Sequence, residues 1–384
     1  MTLSVIAQNT WTQKTSFPGI NRDDAVGFSI GAFGYLGTGM DVNFSLKNDF
    51  WKYDPSTDSW SQVADFSGTP RQYCASFVIG NIGYVLTGID HNGVFQNDMW
   101  AYDPVSNSWM MKANLPAAGR SAGVAFSIDG IGFAGTGNTG ITYLNDFWKY
   151  DPSTNSWSSL IDFSGSPRYV AAAFAIGNKG YIGTGKDTSN QLLNDFWEYD
   201  PANDSWLQKN DFPGTSRYYS DGFSINQFGF IGAGLDVNSN YRNDFYAYNQ
   251  FSDSWIAAAS LPAVSRKGGA CFVINNKAYF GTGIDSSNTR LNDWWEYDTM
   301  VGMNDELSNG YLKVYPNPSC GRLNIYSSSM MEELYVYKID GTQILFKQPF
   351  TNSFSENLIH PQPGLYFIKV LINGKYFYEK VIFN

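Results

Sequence analysis

The sequence predicts an all-β protein in which six copies of one four-stranded unit are followed by a smaller module with a different pattern. Aromatic residues make up 17% of the 384 residues and charged residues only 16%, and the chain holds 38 glycines and 15 prolines. This composition is typical of short strands joined by tight turns, and it excludes a coiled coil, a helical bundle and a disordered chain. An internal repeat defines how the chain is divided into structural units.

One eight-residue motif recurs along the chain. It begins with Asn-Asp and continues with aromatic residues, as in NDFWKYDP, and its six copies are separated by 49, 48, 49, 49 and 49 residues. The copies begin at Asn48, Asn97, Asn145, Asn194, Asn243 and Asn292. A Gly-aromatic run that ends in a glycine pair, such as GYLGTG from Gly34, keeps the same spacing. Two landmarks in one register identify an internal repeat.

Each unit contains short apolar runs separated by Gly, Asn, Asp and Pro, which indicates four strands. Such a unit cannot bury both faces alone, so the units are expected to pack radially and to close into a six-bladed β-propeller. A tryptophan ends five units, at Trp60, Trp109, Trp157, Trp206 and Trp255. The sixth unit lacks one, and Trp11 lies 49 residues before Trp60. The N-terminal strand is therefore predicted to complete the last blade.

These motifs resemble those of the kelch-type six-bladed propellers, a group that includes galactose oxidase and sialate mutarotases. The resemblance covers residues 11–298 and implies the fold, whereas activities within the group are diverse. Copper oxidation of the galactose oxidase kind requires two histidines, tyrosines and a crosslinked cysteine, but this propeller contains only His91. We therefore expect no copper activity, and no cofactor, metal or catalytic cluster is predicted.

A different module follows the repeats. Residues 299–310 are interpreted as a polar linker, and residues 311–384 alternate apolar and polar positions, which predicts a small antiparallel β-sandwich. The module resembles the type A sorting domain of the type IX secretion system through its YPNP-x-x-G opening at Tyr315, Pro316, Asn317, Pro318 and Gly321. The resemblance implies contact with type IX machinery and a secreted or cell-surface protein; an accessory sandwich without that role is the alternative.

The N-terminus and the net charge carry further expectations. Residues 1–7 are interpreted as the remnant of a signal peptide, with an edge strand as the alternative, and residues 8–298 as the propeller. The net charge is −10, and residues 311–384 contribute +2 from seven Lys/Arg and five Asp/Glu, so the rest carries −12. Such a surface repels phosphate backbones, so nucleic acid is not an expected partner. No transmembrane segment is predicted, and we expect a monomer.

One arginine enters each unit, namely Arg22, Arg71, Arg120, Arg168, Arg217 and Arg266. In a propeller these side chains would surround one mouth of the central channel, where they could bind a carboxylate or sulfate. The aspartates of the Asn-Asp motifs are expected on the same face as possible structural partners: Asp49, Asp98, Asp146, Asp195, Asp244 and Asp293. A ligand-binding ring and a set of structural ion pairs are both open interpretations.

The absence of a catalytic cluster in the sequence favours a glycan- or protein-binding module that uses its longer-loop face. The alternative is a mutarotase- or epimerase-like enzyme that acts on an acidic sugar at the arginine-lined mouth, with tyrosines near the arginines lining that mouth: Tyr73, Tyr169, Tyr218 and Tyr219. A purely structural surface protein is the third hypothesis. Aspartates that follow the glycine pairs, such as Asp41, are interpreted as loop caps.

Overall fold

The computed structural model describes residues 10–299, 312–315, 319, 322–338, 342–358, 362–372 and 375–383. These residues form strands and loops, without a helix in the described ranges. The chain divides into two compact units, one that ends at Asp298 and one that includes residues 299–384. The signal-peptide interpretation of residues 1–7 and the linker residues after Thr299 lie outside the described residues.

The first unit is a ring of six antiparallel four-stranded sheets, which confirms the predicted six-bladed propeller. Blades one to three contain the strands Val26–Ile30, Phe33–Gly37, Phe50–Asp54 and Ser59–Val63; Ala75–Ile79, Ile82–Leu86, Met99–Asp103 and Ser108–Lys112; and Val124–Ile128, Ile131–Gly135, Phe147–Asp151 and Ser156–Ser159. Blades four and five contain Ala172–Ile176, Lys179–Gly183, Phe196–Asp200 and Ser205–Lys209; and Asp221–Ile225, Phe228–Gly232, Phe245–Asn249 and Ser254–Ala258. Blade six contains Ala270–Ile274, Lys277–Gly281, Trp294–Asp298 and the N-terminal strand Thr10–Lys14.

The N-terminal strand closes the ring. Thr10–Lys14 pairs antiparallel with Trp294–Asp298, and Trp11 lies opposite Tyr297. The Trp11 indole N–H donates to the backbone carbonyl of Ala259 at 2.8 Å, and its buried ring packs against Phe245 with 5.2 Å between centroids. The first strand therefore completes the sixth blade, as the position of Trp11 predicts.

Contacts between blades explain the glycine that precedes the aromatic residue in five of the second strands. A Cβ atom on Gly83 would lie 2.4 Å from the Phe28 ring of the preceding blade, and one on Gly132 would lie 2.5 Å from Phe77. Side chains cannot approach this closely, so the inner-strand phenylalanine of five blades packs directly on the backbone of the next blade. The repeated glycine is therefore a packing requirement between neighbouring blades.

Short strand pairs lie on the face of the propeller where each inner strand begins. They are Arg22–Asp23 with Met40–Asp41, Arg71–Gln72 with Ile89–Asp90, Arg168–Tyr169 with Lys186–Asp187, and Arg217–Tyr218 with Leu235–Asp236. In blades three and six a bridge takes their place, between Ser121 and Asn138 and between Lys267 and Ile284. These pairs hold the loop after each second strand against the segment that carries the arginine.

The second unit is a six-stranded antiparallel sheet built on one long strand. Its strands are Leu312–Tyr315, Arg322–Lys338, Gln343–Lys347, Thr351–Asn357, Gly364–Ile372 and Lys375–Phe383. A register shift between Tyr326 and Met331 separates two halves of the long strand, and residues of both halves, such as Ile325 and Val336, share one buried core. The two halves pair with different strands and share this core, which is consistent with the predicted small β-sandwich. Tyr315 ends the first strand, while Pro316, Asn317, Pro318 and Gly321 lie outside the described residues.

Candidate functional site

The six arginines lie beneath the mouth of the channel, each in a bidentate ion pair with the aspartate of its own unit. Arg168 donates from Nη1 and Nη2 to the carboxylate oxygens of Asp195 at 2.6 and 2.7 Å, and from Nε and Nη1 to backbone carbonyls. The other pairs are Arg22–Asp49, Arg71–Asp98, Arg120–Asp146, Arg217–Asp244 and Arg266–Asp293. Each arginine side chain is at most 2% exposed. The arginines therefore form part of the framework, with at least four of the five N–H donors of each engaged and all five in Arg71.

The Asn-Asp motif extends this arrangement through its aromatic residues. In blade four the Trp197 indole N–H donates to Asp195 at 2.7 Å, and the Phe163 ring lies 4.8 Å from the Arg168 guanidinium. The tryptophan two positions after the aspartate makes the same bond in every blade but the fifth, which has Tyr246 at that position. The NDFW pattern therefore stabilises one largely buried ion pair in each blade.

A ring of six residues, each two positions after an arginine, forms the lip of the channel. These residues are Asp24, Tyr73, Ala122, Val170, Tyr219 and Gly268, and all have φ between 47° and 61°. Backbone N–H groups donate from one blade to the carbonyl of the preceding one, as from Ala122 to Tyr73 at 2.9 Å and from Val170 to Ala122 at 2.9 Å. Left-handed backbone is uncommon for residues with a Cβ atom, so the closed ring of blades imposes it.

Polar side chains occupy one side of this lip. The Tyr73 and Tyr219 hydroxyls lie 3.2 Å apart although 146 residues separate them in the sequence. Burial and the charge of Asp23 raise the pKa of Asp24 well above its ordinary value, against a hydrogen bond from Tyr73. A Cβ atom on Gly268 would lie 2.4 Å from the Asp24 carboxylate, so only glycine leaves room for that carboxylate. The lip thus joins a carboxyl group to two phenol hydroxyls.

Half-buried tyrosines and two lysines form a rim outside the lip, on blades three to six. We name this surface the tyrosine rim; its members are Tyr143, Tyr169, Tyr218, Tyr241, Lys186 and Lys267. The Tyr143 and Tyr169 ring centroids are 4.5 Å apart. The Lys267 amine lies 4.9 Å from the Tyr219 ring and 5.6 Å from Tyr241, and Lys186 lies 5.7 Å from Tyr218. Neither lysine makes an ion pair within the described ranges, although the charge of Lys267 lowers the pKa values of Asp23 and Asp24 against their burial.

The channel interior is narrow and lined mainly by Ala, Gly and Cys residues, around a cavity of about 240 Å³. Asp221 is the exception, since the equivalent position holds Val or Ala in the other five blades. Among the described residues, one Asp221 carboxylate oxygen and the Ser220 hydroxyl are buried without a hydrogen-bond partner. Burial raises the pKa of Asp221 to about 7, against the opposing charge of Arg266. The channel wall therefore holds one unsatisfied acid.

Asp221 gives the protein a specific pH dependence. The folded protein keeps a proton on Asp221 up to about pH 7, whereas the unfolded chain releases it near 3.8, so stability falls as the pH rises between these values. Asp221→Asn cannot ionise and is expected to exceed the wild type in stability at about pH 8, by up to about 4 kcal/mol, and to match it at about pH 3. Thermal unfolding at the two pH values tests this, with the exposed Asp162→Asn as control. An equal difference at both pH values would contradict it.

Loop aspartates after the glycine pairs have a local role. One Asp41 carboxylate oxygen accepts hydrogen bonds from the backbone N–H groups of Asn43 and Ser45 at 2.8 and 2.9 Å. Asp90, Asp187, Asp236 and Asp285 make the same pair of bonds in their own loops. These contacts confirm the predicted loop caps. In the described part of the chain, no three His, Cys, Asp or Glu side chains are grouped as metal ligands.

The sequence interpretation named only part of this site. Tyr73, Tyr169, Tyr218 and Tyr219 lie at the mouth as predicted, whereas the spacing of the repeats does not point to Asp24, Asp221 or the two rim lysines. A comparison of equivalent positions across the six units contains the missing signal for Asp221, because one blade departs there from an apolar pattern. The six lip residues have no side-chain type in common, so a comparison of the units does not identify the lip.

Two family matches agree with this architecture. Residues 70–116 and 132–160 match the Kelch motif, and residues 313–384 match the family described as Secretion system C-terminal sorting domain. The chain is a kelch propeller with a C-terminal type IX sorting domain. The sorting domain marks this kelch protein for export, so it is secreted or held at the cell surface. In the described ranges no helix has the length and apolar character to cross a membrane.

A solved structure supports the fold of the kelch propeller independently. The structure titled "Structure of YjhT" is similar to it with a TM-score of 0.63 and 18% sequence identity, covering 73% of this chain and 96% of that chain. At this level of identity the likeness concerns the fold alone. No curated protein matches the kelch protein.

Proposed function

We propose that this exported kelch protein is a glycan-binding module whose ligand lies on the tyrosine rim at the channel mouth. The observation that carries the proposal is the concentration on blades three to six of half-buried tyrosine rings and of two lysines that make no ion pair among the described residues. Tyrosine presents an apolar ring face and a hydroxyl together, which suits the alternating C–H and O–H surfaces of a sugar. The lysines supply additional hydrogen-bond donors and positive charge.

The asymmetry of the mouth supports a directional binding surface. Next to the rim, in the same blade as Lys267, Arg290 is paired with Asp23 at 2.6 Å and covers the Phe44 ring at 4.9 Å. This ion pair neutralises the charge of Arg290, whereas Lys186 and Lys267 make no ion pair among the described residues, although the charge of Lys267 acts on Asp23 and Asp24. A ligand with an acidic group would gain most from this local field.

The proposal is tested with substitutions copied from other blades. Gln72 and Ser121 occupy the positions equivalent to Tyr218 and Lys267, so Tyr218→Gln and Lys267→Ser should fold. We expect the full-length protein to bind members of a glycan array, and each variant to weaken binding by at least about tenfold in calorimetry. Leu207→Gln, 58% exposed on an outer strand, is the matched control. No binding to any glycan, or unchanged affinity in both variants, would refute the proposal.

Acid–base chemistry on an acidic sugar is a second candidate, and the lip favours it. The arginine ring cannot supply the positive charge for the sugar carboxylate, because each arginine is paired with an aspartate. Asp24, whose pKa is raised, lies beside Tyr73 and offers a group that can donate and accept a proton. The test is NMR exchange between the anomers of a reducing acidic sugar. Faster exchange that disappears in Asp24→Asn would support catalysis, and exchange at the uncatalysed rate would exclude it for that sugar.

A further inference from the structure

One pair of facing residues recurs in all six blades, at equivalent positions of the second and third strands. The pairs are Tyr35–Lys52, Tyr84–Ala101, Phe133–Lys149, Tyr181–Glu198, Phe230–Ala247 and Tyr279–Glu296. Residues directly opposite one another in an antiparallel sheet lie on the same face with Cβ atoms about 5 Å apart. The six pairs are therefore six versions of one local environment within a single protein.

We call two of these pairs closed, because the tyrosine hydroxyl is hydrogen-bonded to the carboxylate of the facing glutamate. The Tyr181 hydroxyl donates to Glu198 at 2.7 Å, and the Tyr279 hydroxyl donates to Glu296 at 2.8 Å. A lysine amine accompanies each carboxylate, since Lys277 lies 2.7 Å from Glu296 and Lys209 lies 3.9 Å from Glu198. In blades four and six a phenol hydroxyl, a carboxylate and an ammonium group thus satisfy one another.

Blade one has the hydroxyl and the ammonium group but lacks the carboxylate. Lys52 stands where blades four and six have glutamate, and in the described part of the chain it has no ion pair; its amine lies 4.6 Å from the Phe33 ring centroid. The Tyr35 hydroxyl has no hydrogen-bond acceptor among the described residues, and burial alone raises its pKa. The nearby carboxylate of Asp54 accepts two hydrogen bonds from Ser56, which lower its pKa more than the charge of Lys52 does, and it makes no ion pair with Lys52 among the described residues.

A cavity opens beside this incomplete pair, between blades one and two on the face opposite the channel mouth. Its volume is about 480 Å³, and Tyr35 and Lys52 line it together with apolar surfaces of Phe33, Pro104 and Val105. The Tyr102 hydroxyl in the same wall is already bonded to Asn107 at 2.8 Å. The cavity therefore combines an apolar wall with two donors, the Tyr35 hydroxyl and the Lys52 amine, that have no hydrogen-bond acceptor among the described residues, and its size suits a small organic molecule.

We propose that this cavity binds a small organic carboxylate with an apolar body. The ligand carboxylate takes the position that the Glu198 and Glu296 carboxylates hold in their own blades, accepting from the Tyr35 hydroxyl and pairing with Lys52. The apolar body covers Phe33 and the turn that contains Val105. The site is separate from the tyrosine rim and does not depend on the function proposed for it.

The probe for the experiment is phenylacetate, and its neutral amide, phenylacetamide, is the matched control compound. We expect calorimetry or saturation-transfer NMR on the full-length protein to show phenylacetate binding at least about tenfold tighter than the amide, because only the acid completes the charged hydrogen bonds. Equal affinity for the two compounds, or no binding of the acid, would overturn the proposal.

Three variants locate the binding. Lys52→Glu recreates the closed pair of blades four and six, so it should fold and abolish phenylacetate binding, while Tyr35→Phe, which copies Phe133, should weaken it several-fold. Lys149→Glu is the control, because Lys149 faces Phe133 and has no hydroxyl partner. Retained binding in Lys52→Glu, or equal loss in Lys149→Glu, would contradict the assignment to blade one.

Discussion

Deletion of the N-terminal strand through Lys14 is expected to destabilise the whole propeller rather than one edge of it. The strand pairs along its full length with Trp294–Asp298, so its loss removes the fourth strand of blade six and leaves one edge of Trp294–Asp298 without a partner strand. Trp11→Ala alone should cost about 3–5 kcal/mol, as removal of buried aromatic side chains does. Its ring contacts Phe245, Phe280 and Tyr297, which belong to two blades.

The measurement is calorimetric unfolding of the full-length protein, the deletion and Trp11→Ala. We expect the propeller transition to move to a much lower temperature or to lose its cooperativity in the deletion, because the closed ring connects every blade to two neighbours. A chain that begins at Asn9 retains the strand and serves as the control. An unchanged transition in the deletion would mean that contacts other than this strand close the ring.

Much of the propeller could be predicted from the sequence because its determinants are local and repeated. The glycine before each aromatic residue, the Asn-Asp motif and the blade tryptophan each recur at one spacing, so a single interpretation applies to six units. The missing sixth tryptophan even located the closure at Trp11. Repetition of one unit indicates which segments pack against one another, and a single sequence without repeats ordinarily gives no such information on long-range contacts.

The chemistry of the mouth could be predicted only in part, because it arises where the repeat is broken and where distant blades meet. The Tyr73–Tyr219 contact joins residues of blades two and five across the channel. Asp24 owes its raised pKa to burial and to Asp23, and Gly268 provides the space for its carboxylate. None of these relations is a property of one repeat unit, so spacing alone could not reveal them.

The arginines show a second limit of prediction from sequence, since the same residue types suit a ligand-binding site and an internal ion pair. What distinguishes the two is burial. The Phe163 ring covers the Arg168 guanidinium and the Thr184 carbonyl accepts from it, so no face of that side chain reaches solvent. A carboxylate ligand would have to displace Asp195 from a bidentate pair to reach it.

Breaking one of these pairs is therefore expected to be costly. Arg120→Met leaves the Asp146 carboxylate without its buried partner and should destabilise the protein by about 3–5 kcal/mol at neutral pH. Adding Asp146→Asn removes the unpaired charge while keeping an oxygen for the Trp148 indole N–H, so the double variant should recover part of the loss. Denaturant unfolding of the four proteins in this cycle measures the coupling, and strictly additive effects would contradict it.

Acid provides a separate test of the same pair. Burial opposes ionisation of Asp146, but the hydrogen bonds and charge of Arg120 outweigh it, and the pKa of Asp146 is lowered. The pair's contribution is therefore fully present above the ordinary aspartate pKa and is lost as the pH falls through the lowered value. In Arg120→Met the same acidification neutralises an unpaired, partly buried charge. The stability difference between wild type and Arg120→Met should shrink from about pH 7 to about pH 3, and a constant difference would mean that lost packing, rather than charge pairing, explains the arginine ring.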